Sequence, residues 1–255
     1  MPKTFGTAVL ALMTAASLLA GVGCGEQDAD FYKVMPEKVN FDTEDGVIIY
    51  ADHYASGVDG PSALLLHMMP ATKESWSAFA TALLSAGFSH VLAIDLRGHG
   101  ESVHQGNARL DYKQFEDADH QAKMMDVDAA VRWLEGQGVA KERLALVGAS
   151  IGANLAIAYG AEHGEIPAVV ALSPGLDYRG VTTPDKVAKY RSGQGLYLVA
   201  SEEDELSFKT DRELAAIKNG TIVKEFRGAG HGTAMFDKAP GLMAEVVEWL
   251  GERVR

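Results

Sequence analysis

Leu144-Ala145-Leu146-Val147-Gly148-Ala149-Ser150-Ile151-Gly152 is the stretch that decides the fold. Its first four residues form a short continuous apolar run, the mark of a strand buried on both faces of a mostly parallel sheet. Its last five form a G-x-S-x-G, and residues 151–163 continue as a small, apolar helical pattern. A glycine-flanked serine between strand and helix predicts a turn so tight that the serine backbone is strained and its hydroxyl projects at the sheet edge. Glycines two residues to either side remove the side chains that would clash. With 27 glycines in 255 residues, the motif alone is weak. The strand before it and the helix after it give it meaning.

Outward from this centre, strand and helix patterns alternate. Apolar runs bounded by turns predict strands at Ser62–His67, His90–Ile94, Ala168–Leu172, Leu196–Ala200 and Thr221–Phe226. Ahead of them, Lys38–Asn40 and Val47–Tyr54 flank the turn signal Thr43-Glu44-Asp45-Gly46. Helical periodicity covers Ser75–Ala86, Asp117–Glu135, Ile151–His163, Phe208–Lys218 and Leu242–Val254. A hairpin start followed by repeated βα units predicts an α/β domain. Its central sheet is mostly parallel, of about eight strands, with helices on both faces.

Composition narrows the function classes. Apolar residues are 47% and charged residues 23% of the chain, which excludes a disordered chain and a multi-span membrane protein. A net charge of −12 argues against nucleic acid or anionic lipid as a main partner. One cysteine allows neither an intramolecular disulfide framework nor a cysteine-based zinc site.

Residues 1–23 carry one charge, Lys3, then an apolar run rich in Ala and Leu and ending in small residues. This is the pattern of a secretory signal; a transmembrane anchor is the rival reading. Gly21-Val22-Gly23-Cys24 resembles a bacterial lipoprotein lipobox, with Gly21 standing where Leu is usual. The resemblance implies lipidation at Cys24, an exported, envelope-located protein and membrane attachment through that anchor alone. The alternative is an incidental cysteine in an ordinary signal. Residues 24–37 then read as a tether and 38–255 as the domain.

A serine hydroxyl needs a base, and the base needs an acid to hold it. In a largely parallel sheet, functional residues lie just after the carboxyl ends of the strands. His231, in Gly228-Ala229-Gly230-His231-Gly232 after the last strand, is the candidate base. Ser201-Glu202-Glu203-Asp204-Glu205 follows the preceding strand. Asp204 meets the order Ser, Asp, His, with Glu202, Glu203, Glu205 and Asp177 as rivals. His53, His90, His104, His120 and His163 carry no site signature and read as surface or packing residues.

Four blocks in this order resemble the α/β-hydrolase family. They are Leu64-Leu65-Leu66-His67-Met68-Met69-Pro70, Asp95-Leu96-Arg97-Gly98-His99-Gly100-Glu101-Ser102, the Gly148–Gly152 turn, and Asp204 with His231. The resemblance implies a Ser150–His231–Asp204 triad, with an oxyanion hole formed by the backbone N–H groups of Ile151 and Met69. Met68 stands where the family usually has Gly, and could also line the acyl pocket. His67, Arg97, Gly98 and Gly100 are expected to be structural. Gly175–Gly195 holds one short helix around Pro184–Tyr190, and Val103–Glu116 is also short. Neither leaves room for a lid.

An open cleft suits a small acyl ester or thioester. The mechanism implied is an acyl-enzyme on Ser150 that needs no metal or organic cofactor, with activity rising as a group near pH ~6–7 deprotonates. Rivals are an acyltransferase or perhydrolase on the same triad, a peptidase, and a non-catalytic lipid-anchored binding protein.

Overall fold

A computed structural model of the protein describes residues 35–254. The signal segment and Cys24 lie outside the described residues. Eight strands form one sheet: β1 (Glu37–Asp42), β2 (Ile48–Ala55), β3 (Ser62–Leu66), β4 (His90–Ile94), β5 (Leu144–Ala149), β6 (Ala168–Leu172), β7 (Gly195–Ser201) and β8 (Ile222–Phe226). Their spatial order is β1-β2-β4-β3-β5-β6-β7-β8. β2 runs antiparallel to β1 and β4, and the remaining pairings are parallel.

Alternation along each strand divides the core. Leu64 and Leu66 of β3 pack on one face, with Val127, Val131 and Leu134 of the helix α2 (Lys123–Gly136). Leu65 packs on the other, with Phe79 and Leu83 of α1 (Ser77–Ser85) and with Val246 and Leu250 of a helix at Leu242–Arg253. Every residue of β3, β5, β6 and β7 is buried, which is why these strands read as continuous apolar runs. β8, one of the two edge strands, is only half-buried. α3 (Ile151–Glu162) is buried on almost every side. It can be, because its small residues allow close approach: a Cβ on Gly160 would lie 2.7 Å from Val169.

The expected helix over 117–135 is two helices, Asp117–Gln121 and α2, broken at Ala122. The break lets His120 and Lys123, both buried, meet at 3.0 Å between Nδ1 and Nζ. The insertions contain two hairpins that the sequence pattern did not predict, His104–Gln105 with Ala108–Arg109 and Asp177–Tyr178 with Val181–Thr182. The short helix in the second insertion is Pro184–Val187. Both insertions are as short as expected.

Parallel register brings the carboxyl ends to one edge. Leu66 pairs with both Ile94 and Gly148, and Ala149 pairs with Leu172. The segments beginning at His67, Asp95, Ser150, Ser173, Glu202 and Arg227 therefore emerge together.

Candidate active site

The turn after β5 is built by steric necessity. Ser150 sits at φ 53°, ψ −121°, a conformation few non-glycine residues adopt and one that stores strain. Its N–H donates to Leu172 O at 2.8 Å, and its carbonyl accepts from Ala153 at 2.8 Å. A Cβ on Gly148 would lie 2.0 Å from Gly152 O, and one on Gly152 would lie 2.3 Å from Leu66 O. Neither can be anything but glycine in this geometry. The half-buried serine is left at the open edge.

Asp204 and His231 meet across the same edge, with Nδ1–H donating to Oδ2 at 2.6 Å. Burial alone would raise the Asp204 pKa. Hydrogen bonds from His231, Ser207 and Ser173 outweigh it and hold the carboxyl below its ordinary value. Asp204 is therefore ionised at neutral pH, and His231 is held in the tautomer whose Nε2 is free to accept a proton.

The acidic run after β7 divides its labour. Glu203 accepts from Gly228 N at 2.9 Å, Gly230 N at 2.6 Å and Ser201 Oγ at 2.6 Å. These bonds pull its pKa down to about 2. Glu203 thus clamps the loop that carries His231, a role the sequence did not show. Glu202 pairs with Arg227 at 2.8 Å, and Asp177 accepts from Gly180 N in its own hairpin. Ser173 was also missed. It follows β6 at φ 53°, and its Oγ accepts from Gly232 N at 3.0 Å. Its position just past a strand end is the signal that could have found it.

Among the described residues, the N–H groups of Ile151 and Met69 have no hydrogen-bond acceptor within the chain. Met68 packs on Gly232, where a Cβ would lie 2.4 Å from its sulfur. Met68 therefore lies against the residue that follows His231. His67 braces the turn: Nε2 accepts from Leu96 N at 3.0 Å, which leaves Nδ1–H to donate to Met68 O at 2.9 Å.

The loop after β4 is structural. Arg97 donates to both Asp45 oxygens at 2.7 and 2.9 Å and to Asp126 Oδ1 at 2.8 Å. Asp95 accepts from Lys73 Nζ at 2.7 Å and from Glu101 N at 2.9 Å, and a Cβ on Gly100 would overlap its carboxylate. Among the described residues, no three His, Cys, Asp or Glu side chains gather as a metal site.

Comparison with known proteins agrees with this architecture. The profile of the family described as serine aminopeptidase, S33, matches residues 63–210, more than half of the chain. Protein phosphatase methylesterase 1 of Bos taurus is 30% identical over 119 residues, 47% of this chain and 28% of that protein. The Mus musculus protein of that name is 33% identical over 104 residues, 41% of this chain and 24% of its own length. The match thus spans about a quarter of these relatives. Among solved structures, an esterase from Pyrococcus furiosus superposes with a TM-score of 0.66 at 21% identity, covering 86% of this chain and 93% of that one. A dienelactone hydrolase from Anabaena variabilis superposes with a TM-score of 0.63 at 18% identity, covering 87% and 100%. At these identities the superpositions speak for the fold.

Proposed function

The chain belongs to the serine aminopeptidase S33 family of α/β-hydrolases, and from that membership we propose that it cleaves carboxylic esters or thioesters through an acyl-enzyme on Ser150. The observation that carries the reading is the 2.6 Å His231–Asp204 hydrogen bond, at the sheet edge where Ser150 is held in its strained turn. Ser150 Oγ attacks the carbonyl carbon as His231 Nε2 takes its proton. The oxyanion is received by the Ile151 and Met69 amides, where one donor is worth ~3 kcal/mol. His231 returns the proton to the leaving alcohol or thiol. Water then attacks the acyl-enzyme through the same base, releasing the acid and restoring Ser150.

The esters named in the methylesterase relatives support this substrate class. The family's name also raises an aminopeptidase reading. Such an enzyme must hold a substrate ammonium, and the pocket beside Met69 is lined by Lys113 and Arg179, which repel one. The envelope location and lipid anchor at Cys24 remain part of the proposal.

A fluorophosphonate probe tests the mechanism. Labelling at Ser150, absent from Ser150→Ala and followed by turnover of short-chain p-nitrophenyl esters, is the expected result. A folded protein that takes no label and turns over no ester leaves the binding-protein reading in its place. If added alcohol or peroxide captures the acyl group in preference to water, the enzyme is a transferase or perhydrolase.

A further inference from the structure

A pocket of about 320 Å³ opens beside Met69 and Pro70, walled by Tyr112, Lys113, Phe115, His120 and Arg179. It adjoins the proposed reaction centre on two sides. Met69 carries one of the proposed oxyanion donors. Arg179 follows Tyr178, whose hydroxyl bonds Ser207 at 3.1 Å and lies within reach of the Ser150 hydroxyl.

Its charge runs against that of the molecule. The chain carries −12, yet the wall contains Lys113 and Arg179, and Lys123 lies fully buried behind it. Among the described residues, none of these three cations has a carboxylate within salt-bridge distance, whereas Lys38, Lys73, Arg97 and Arg132 all do. The Lys123 ammonium touches His120 Nδ1 at 3.0 Å and Met69 Sδ at 3.9 Å, neither of them negative. Burial pulls its pKa down to about 8; the Asp126 carboxylate on the same helix opposes the shift, and Arg97 and Arg179 add to it. Asp117 and Asp119 act on His120 from its own helix, but neither lines the pocket.

Arg179 is also placed at a cost to the backbone. It sits at φ 57° on the tip of the 177–182 hairpin, where Gly or Asn would be at ease. Strain at a site edge points to a role for the side chain held there. A guanidinium is suited to that role, because its planar fork matches a carboxylate with two parallel hydrogen bonds. His120 adds a neutral donor. Its Nδ1 accepts from Lys123, which leaves Nε2–H free, and burial lowers its pKa to about 4.

We propose that this pocket is an anion subsite and that the preferred substrate is an ester carrying a carboxylate, held by Arg179 and Lys113 with the charge of Lys123 behind. The proposal rests on the ester-hydrolase reading and deepens it. Lys113 and Arg179, which have no carboxylate within salt-bridge distance among the described residues, attract an anion to the edge of the reaction centre, so a bound carboxylate supplies the partner they lack.

Two matched ester pairs test this. Mono-p-nitrophenyl glutarate against p-nitrophenyl valerate places the carboxylate on the acyl side. 3-Acetoxybenzoate against its methyl ester places it on the leaving group. The expected result is a kcat/KM at least ten-fold higher for the anion in one pair, and a collapse of that ratio by at least ten-fold in the Arg179→Gln/Lys113→Gln protein. Independently of turnover, glutarate should bind the Ser150→Ala protein in calorimetry, and its binding should be lost when both cations are replaced. Equal or better turnover of the neutral ester in both pairs overturns the proposal, as does the absence of glutarate binding. If no ester is cleaved at all, the hydrolase reading fails, and the calorimetric arm alone decides whether the anion subsite exists.

Discussion

Ser150 carries both the proposed chemistry and a conformational cost. A non-glycine residue at φ 53° is strained by ~1–3 kcal/mol, and the strain belongs to the backbone rather than to the hydroxyl. Ser150→Ala and Ser150→Gly should therefore be equally inactive but unequally stable. Alanine keeps the Cβ and its strain, whereas glycine relieves it. We expect the glycine variant to be the more stable by about 1 kcal/mol in urea unfolding, after allowing for the extra freedom glycine has in the unfolded chain. Equal stability would mean that the turn is not strained by its Cβ. Both variants should lose ~10⁴-fold or more of ester turnover.

At the scale of elements, two loops hold the site in place. The first carries His231 and is clamped by Glu203. Glu203→Ala leaves the N–H groups of Gly228 and Gly230 and the Ser201 hydroxyl without their acceptor. Displacing a base by an ångström costs of order 10²-fold. We expect kcat to fall ~10–100-fold with KM little changed, and partial recovery in Glu203→Gln, which retains one acceptor oxygen. A variant as active as the wild type would show that the loop needs no clamp. The sign with pH follows from the lowered pKa of Glu203. The clamp is fully present above the ordinary glutamate range and is lost only as pH falls through about 2. The second loop turns on Arg97, which is 5% exposed and bonded to the fully buried Asp126. Arg97→Ala removes the guanidinium from that carboxylate, leaving it the N–H of residue 97 and the charge of Lys123, and should cost ~3 kcal/mol, the low end for a broken buried pair, read as a lowered urea midpoint.

These loops also show what the sequence made legible. β4 and β6 were predicted residue for residue, because a strand buried on both faces is an unbroken apolar run. Arg97, Gly98 and Gly100 were readable as structural only through the resemblance of the Asp95–Ser102 block to the α/β-hydrolase loop. The order Ser, Asp, His and the distance past the strand end favour Asp204 over Glu203 as the acid, but the clamp made by Glu203 was not legible. Both are carboxylates on one short loop, and their roles differ only in which way the turn after Ser201 directs each one. The two insertion hairpins have two-residue strands, too short for any period to register. The break at Ala122, which lets His120 meet Lys123 three residues on, interrupts a stretch whose helical periodicity runs straight through it.

The described residues place polar loops on one edge of the sheet and two apolar layers on the faces, and Asp211 is an acidic group among those layers. Asp211, on the helix Glu205–Ile217 beside β8, is fully buried, and among the described residues neither of its carboxyl oxygens has a hydrogen-bond partner. Burial, reinforced by the charges of Glu225 and Asp204, raises its pKa well above the ordinary value. Above about pH 4 the unfolded chain gives up this proton while the folded protein keeps it, so its contribution to stability falls as pH rises. Buried His67 and His99 act in the opposite sense. Their pKa values are lowered by burial to about 4 and about 3, so the stability they confer is lost as pH falls below the ordinary histidine range. The two sets partly cancel in the wild-type profile, and only a difference measurement isolates either. Asp211→Asn does not titrate and keeps the shape of the side chain. Its stability relative to wild type should rise from pH 5 to pH 8, by up to about 1.4 kcal/mol per unit where the folded carboxyl holds its proton. Urea unfolding of both proteins across that range reads the slope directly. A difference that stays constant with pH would place an unseen donor beside Asp211, since only a compensated carboxylate could ionise there at its ordinary value.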